Sequence, residues 1–131
     1  LGVDLVKDRA SLEAAYDDAA GVTAAFNRNV LRVLARELDA PIPVEAFEHV
    51  ARWDDRLARV ELRLRASSDL VLEFPALDLT VPLAAGEEIR TEICCKFTRP
   101  VVERELGAAG LTLDGWHTDQ KGRFALAVAR R

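Results

Sequence analysis

Methionine is absent from all 131 residues and the chain opens on Leu1, so it reads as a processed product or a piece of a longer protein. Long apolar runs are absent too. None approaches the about 20 residues that cross a bilayer, and LGVDLVKDRA has neither a basic leader nor a long apolar segment behind it. The expectation is a soluble, cytoplasmic protein with no membrane partner. A basic stripe is also missing. The 18 basic residues are interspersed among 22 acidic ones for a net charge of −4, so no surface for neutralising phosphates is written in the chain and no nucleic-acid partner is expected. The two cysteines, Cys94 and Cys95, are neighbours; they cannot staple distant segments, and a disulfide between them would be strained, which fits a reducing compartment. With only His49 and His117 to add and no C-x-x-C spacing, no metal site is expected. Nor is there a G-x-G-x-x-G, a P-loop, a G-x-S-x-G or an H-E-x-x-H.

What is present is a chain about half apolar, enough for one compact unit with a real core. LGVDLV reads as a short buried strand. Ser11 is placed to cap a helix through LEAAYDDAA that Gly21 stops, and Thr23 to cap a longer one in which Phe26, Val30, Val33, Leu34 and Leu38 form an apolar stripe. Pro41 and Pro43 end it. From there the pattern is β: a hairpin of His49–Trp53 and Arg59–Ala66 around DDRL, then short strands at Leu70–Phe74 and Leu77–Val81. Gly86 turns the chain into EEIRTEICCKF. Pro100 suits the first turn of a helix ending near Gly110, and LTLDGWHTD and GRFALAVARR form a last hairpin about Lys121-Gly122. LGVDLV and FALAVA are nearly continuous apolar runs, the pattern of strands covered on both faces, which implies a larger sheet than this chain supplies.

EEIRTEICCKF carries the richest chemistry. Strict alternation sets Thr91, Ile93, Cys95 and Phe97 on one face and Arg90, Glu92, Cys94 and Lys96 on the other. Cys95 then reads as a small buried hydrophobe. Glu92 and Cys94 project side by side, either as a polar pocket wall or as a solvated strand face with Arg90 and Lys96. Tyr16, the single tyrosine, is either a half-buried aromatic or a ligand contact; the histidines read as satisfied structural positions and both tryptophans as core.

The segments DLVKD, AYDDAAGVTAAFNRNVLRVLARELDA, FEHVARWDD, VELRLR and AAGEEIRTEICCKF resemble the C-terminal portion of histidine-specific, S-adenosylmethionine-dependent methyltransferases. AYDDAAGVTAAFN is the specific part; Val3, Arg9 and Cys94 depart from the pattern, where threonine, proline and serine are expected. The resemblance implies an α+β fragment: a mixed, β-rich substrate-binding domain inserted in the last strands of a class I (Rossmann-like) methyltransferase fold whose N-terminal part is missing. Residues 1–6 would be a late Rossmann-like strand, 7–96 the substrate-binding domain, and 97–131 the final helix and β-hairpin of the Rossmann-like domain.

By the same resemblance, the intact enzyme methylates the α-amino group of L-histidine to hercynine in ergothioneine biosynthesis, acting as a monomer with L-histidine as its small-molecule partner. Tyr16 maps onto the residue that holds the substrate carboxylate, Glu92 onto the acceptor of the imidazole N–H, Cys94 onto a hydroxyl beside it, and Leu62 onto the wall of the imidazole pocket. No residue maps as catalytic. S-adenosylmethionine would be bound mainly by the absent N-terminal part. The rival reading is a free-standing amino-acid-binding or interaction module, or an inactive remnant, without methyltransferase activity.

Overall fold

A computed structural model describes every residue, Leu1–Arg131. Strand β1 (Gly2–Asp4) leads into helices α1 (Arg9–Tyr16) and α2 (Val22–Glu37). Strands β2 (Phe47–Asp54), β3 (Arg59–Ala66), β4 (Leu70–Phe74), β5 (Leu79–Leu83) and β6 (Glu88–Cys95) follow. Helix α3 (Arg99–Ala108) and strands β7 (Thr112–Thr118) and β8 (Phe124–Arg130) close the chain. The strands pair antiparallel into three sheets, β1-β8-β7, β2-β3-β6 and β4-β5, giving an α+β chain. The sheets are therefore not mixed as expected; the one parallel contact is the bridge from Leu5 to Phe97.

Carboxylates start the first two helices, not the hydroxyls the sequence offered. Asp8 caps α1 by accepting from the Ser11 N–H, and α1 ends at Tyr16, short of Gly21. Gly21 itself is the N-cap of α2 at φ 69, while both oxygens of Asp18 accept from the Val22 and Thr23 N–H groups. Those bonds hold the Asp18 carboxyl down at about 2. A turn at Pro75–Leu77 shifts β5 two residues later than predicted.

β3 is the spine. Val60, Leu62, Leu64 and Ala66 alternate onto one buried face, where α1 and α2 cover them; burying each large side chain contributes about 1.5–3 kcal/mol. The other face is a lattice of charge. Glu61 is held by Arg59 and Arg63 and approached by Arg90, and Glu88 is shared among Arg52, Arg63 and Arg65. Bonds from Arg63 and Arg59 keep the buried Glu61 carboxyl down at about 2.

Three cores result. Leu31, Phe47, Leu64, Leu72, Phe74 and Leu83 join α2 to β2 through β5; Leu12, Trp53, Val60 and Leu62 join α1 to β2 and β3. A separate group, Val3, Leu5, Val102, Ala125 and Ala127, ties β1 and β8 to α3, with Trp116 against it. Helix α3 covers one face of that last sheet, and the larger sheet that its apolar runs imply would cover the other. Phe124, Leu126 and Val128 stay exposed on the other, Leu126 at 52%. The α2 stripe is likewise uncovered: Phe26 is 65% exposed and Val30, Val33 and Leu34 are partly bare, while Asn27 and Leu31, four apart, face the sheet.

Candidate functional site

The site is set by one extra residue in β6. Leu62 pairs with Glu92 but its neighbour Arg63 pairs with Arg90, so Thr91 is a bulge and the alternation slips by one at that point. Ile89, Glu92, Cys94 and Lys96 thereby share the face of Leu62 and Leu64, covered by the helices. Arg90 falls with Ile93 and Cys95 on the charged face, correcting the strict alternation, which had put Arg90 beside Glu92. Cys95 is exposed, because the face it shares with Arg59 has no helix over it; it is not the buried hydrophobe expected.

On the covered face, Lys96 is buried, its side chain 2% exposed. Its ammonium donates to the Tyr16 hydroxyl at 2.7 Å, pairs with Asp4 at 2.8 Å and lies 4.7 Å from the centre of the Tyr16 ring. Burial alone would lower the lysine pKa; the bonds to Asp4 and Tyr16 outweigh it and hold it above the ordinary value. Burial raises Tyr16, which stays protonated. Cys94 is half-buried between Tyr16 and Glu92 and donates its S–H to Glu92 Oε1 at 3.1 Å. Burial, then the Glu92 carboxylate, push the thiol up, so it is a hydrogen-bond donor and not a nucleophile.

Beside Glu92 a cleft of about 260 Å³ opens between α2 and β6, lined by Phe26, Asn27, Asn29, Val30 and Thr91. Its inner wall is a buried polar network. Asn27 donates from Nδ2 to the Arg63 carbonyl at 3.0 Å and to His49 Nδ1 at 2.9 Å, and His49 Nε2–H donates to the Tyr16 carbonyl at 2.8 Å. The Thr91 hydroxyl lies against Asn27 Oδ1 and the Leu62 carbonyl, which pins the bulge.

The structure thus gathers Tyr16, Cys94 and Glu92 on one surface. Leu62 lies directly opposite Glu92 as buried floor, packed with Leu12, Trp53 and Val60. His49 is a satisfied structural position, as expected, and Trp53 is core; His117 lies exposed on β7. Sequence reasoning missed Asn27, Thr91, Lys96 and Asp4. Lys96 has a signal, its two-residue step from Cys94, but the alternation names it only in the solvated-face alternative.

The elements present do not supply the glycine-rich strand-loop-helix that S-adenosylmethionine, a sulfonium carrying a nucleoside and an amino-acid zwitterion, calls for: β1 leads into α1 through residues 5–8, which hold no glycine.

Comparison with known proteins gives the same direction. The profile of the family described as "Histidine-specific methyltransferase, SAM-dependent" matches residues 1–131. The chain is 53% identical over its full length to the histidine N-alpha-methyltransferase of Mycobacterium tuberculosis (strain CDC 1551 / Oshkosh) and 54% identical to that of Mycolicibacterium smegmatis (strain ATCC 700084 / mc(2)155). It spans 41% of the length of each of these relatives. With the match running from the first residue to the last, the chain belongs to the family of histidine-specific, SAM-dependent methyltransferases.

Proposed function

We propose that this chain is the C-terminal portion of an enzyme that methylates the α-amino group of L-histidine, forming hercynine for ergothioneine biosynthesis. The observation that carries the reading is the Glu92 carboxylate: one oxygen is tethered by the Cys94 thiol, and the residue lines a cleft sized for an amino acid. In this reading its other oxygen accepts the imidazole N–H. Cys94 fixes the carboxylate's orientation, Leu62 is the floor beneath the ring, and the Tyr16 hydroxyl donates to the substrate carboxylate. Holding histidine at both ends leaves the α-amine to be aligned for transfer, so the chain's contribution is positioning.

Three separate cores support a division into a late strand at 1–6, a substrate domain at 7–96 and a returning helix and hairpin at 97–131, since Leu12 to Cys94 build two of them and the ends build the third. The bare face of Phe124, Leu126 and Val128 suits the missing side of a Rossmann-like sheet. S-adenosylmethionine is then held by the part of the family's proteins that this chain does not span, in a monomeric, cytoplasmic enzyme whose small-molecule partner is L-histidine. The test is a chimera in which residues 1–131 replace the matching segment of the M. smegmatis relative. Histidine-dependent methyl transfer that falls with Glu92→Ala supports the reading; a chimera that folds and binds no histidine contradicts it.

A further inference from the structure

The buried Lys96 ammonium is not accounted for by the residues assigned to the substrate. An ammonium in the interior costs several kcal/mol unless paired, so its position requires compensation. Asp4 on β1 supplies part, and Asp4 is itself shared with Lys7, whose ammonium lies 2.6 Å from the other oxygen. Two ammoniums on one carboxylate leave one positive charge in excess at the Tyr16 end of the site. Glu92 brings a negative charge, with Cys94 between them. This polarity matches a ligand with a carboxylate at one end and an N–H donor at the other.

The Tyr16 hydroxyl has one proton and two lone pairs, while an ammonium has donors only. In the Lys96–Tyr16 bond the lysine must therefore donate, and the phenolic proton cannot point back along it. The Cys94 sulfur beside it, a hydrogen-bond partner of Tyr16, is only a weak acceptor for that proton, and a substrate carboxylate outcompetes it. We propose that Lys96 is a positioning residue for recognition of the substrate carboxylate: its ammonium occupies a lone pair of the Tyr16 oxygen, turns the phenolic proton outward and strengthens it as a donor. Lys96 acts through Tyr16, being too enclosed to meet the ligand itself. The inference rests on the assignment of Tyr16 to the carboxylate and deepens it.

A double-mutant cycle in the chimera, read by calorimetric titration, tests it. Lys96→Met should weaken histidine binding about tenfold, the range of a hydrogen bond to a charged group. Histamine, which lacks the carboxylate, should bind Lys96→Met and the parent within about twofold. In a Tyr16→Phe background the Lys96 substitution should add less than about twofold to the loss, because the two residues act as one unit. Lys96→Gln, which keeps a donor toward Tyr16, should recover part of the affinity and provides a folded comparison if the methionine variant is unstable. Equal losses for histidine and histamine, or a full tenfold effect in the Tyr16→Phe background, overturn the inference and leave Lys96 a structural ion. Tyr16→Phe binding histidine as the parent does would overturn the carboxylate assignment and this inference with it.

Discussion

Asn27 on α2 donates its side-chain amide to Nδ1 of His49 on β2 across 2.9 Å, and the opposite ring nitrogen of His49 donates to the backbone carbonyl of Tyr16. An amide nitrogen can only donate, so this pair fixes the neutral Nε2–H tautomer of His49 and ties the end of α1 to the bulge at Thr91. One residue thereby positions both ends of the site. Asn27→Ala leaves His49 Nδ1 and the Arg63 carbonyl without their Asn27 donor and should cost about 1–3 kcal/mol of stability. Denaturant unfolding of the chimera measures it; a loss under about 0.5 kcal/mol would show the network to be dispensable.

Glu61 gives the fold an acid sensitivity of predictable sign. Its folded pKa, about 2, lies below the ordinary glutamate value of 4.5, because bonds from Arg63 and Arg59 favour the charged form. The stabilisation is fully present above 4.5 and is lost as pH falls from there through about 2. Glu61→Gln should lower the thermal midpoint at about pH 6 and narrow the gap between parent and variant at about pH 3. A gap that widens on acidification would contradict the assignment.

The two cysteines should separate cleanly. Cys95 is exposed, whereas the Cys94 thiol is half-buried, raised in pKa by burial and held by Glu92. A thiol reagent applied to the chimera should modify Cys95 first and without regard to histidine, and Cys94 slowly and still more slowly with histidine bound. Mass spectrometry of the labelled peptides reads both. Faster labelling of Cys94 would mean that the bulge at Thr91 does not set the register described.

The 131-residue chain alone should not bind S-adenosylmethionine, since the connection from β1 to α1, residues 5–8, holds no glycine at which the backbone could approach the cofactor. Calorimetric titration checks this, and micromolar binding would contradict it.

The features legible in the sequence are those fixed by neighbours along the chain. The β2–β3 hairpin, the α3 start at Pro100 and the turn at Lys121-Gly122 depend on local geometry and lie where the pattern puts them. What the pattern misplaced depends on distant partners. Where the alternation of β6 breaks, the Thr91 hydroxyl meets Asn27, 64 residues away, and the Leu62 carbonyl across the strand pair. Lys96 is interior because Asp4 lies beside it, which no local charge pattern announces. The exposed stripe of α2 shows that apolar spacing marks a face that could be covered, not what covers it. Hydroxyls at Ser11 and Thr23 were read as caps while carboxylates three to five residues earlier hold those N–H groups. The site roles of Tyr16, Glu92, Cys94 and Leu62 come from family resemblance, since pattern alone leaves Glu92 and Cys94 open to a solvated face, Tyr16 to a half-buried aromatic and Leu62 to one face of a strand.

The central claim is that Glu92 selects histidine, and kcat/KM for histidine, tryptophan and phenylalanine in the chimera tests it most directly. An unpaired imidazole N–H costs about 1–3 kcal/mol, so Glu92→Ala should lower histidine use roughly ten- to a hundredfold. It should also shift preference toward tryptophan, as both charge and volume leave the pocket. Tyr16→Phe should weaken all three substrates alike, since each carries the carboxylate it holds. A histidine-to-tryptophan ratio unchanged by Glu92→Ala would contradict the account and leave Glu92 an ordinary strand residue.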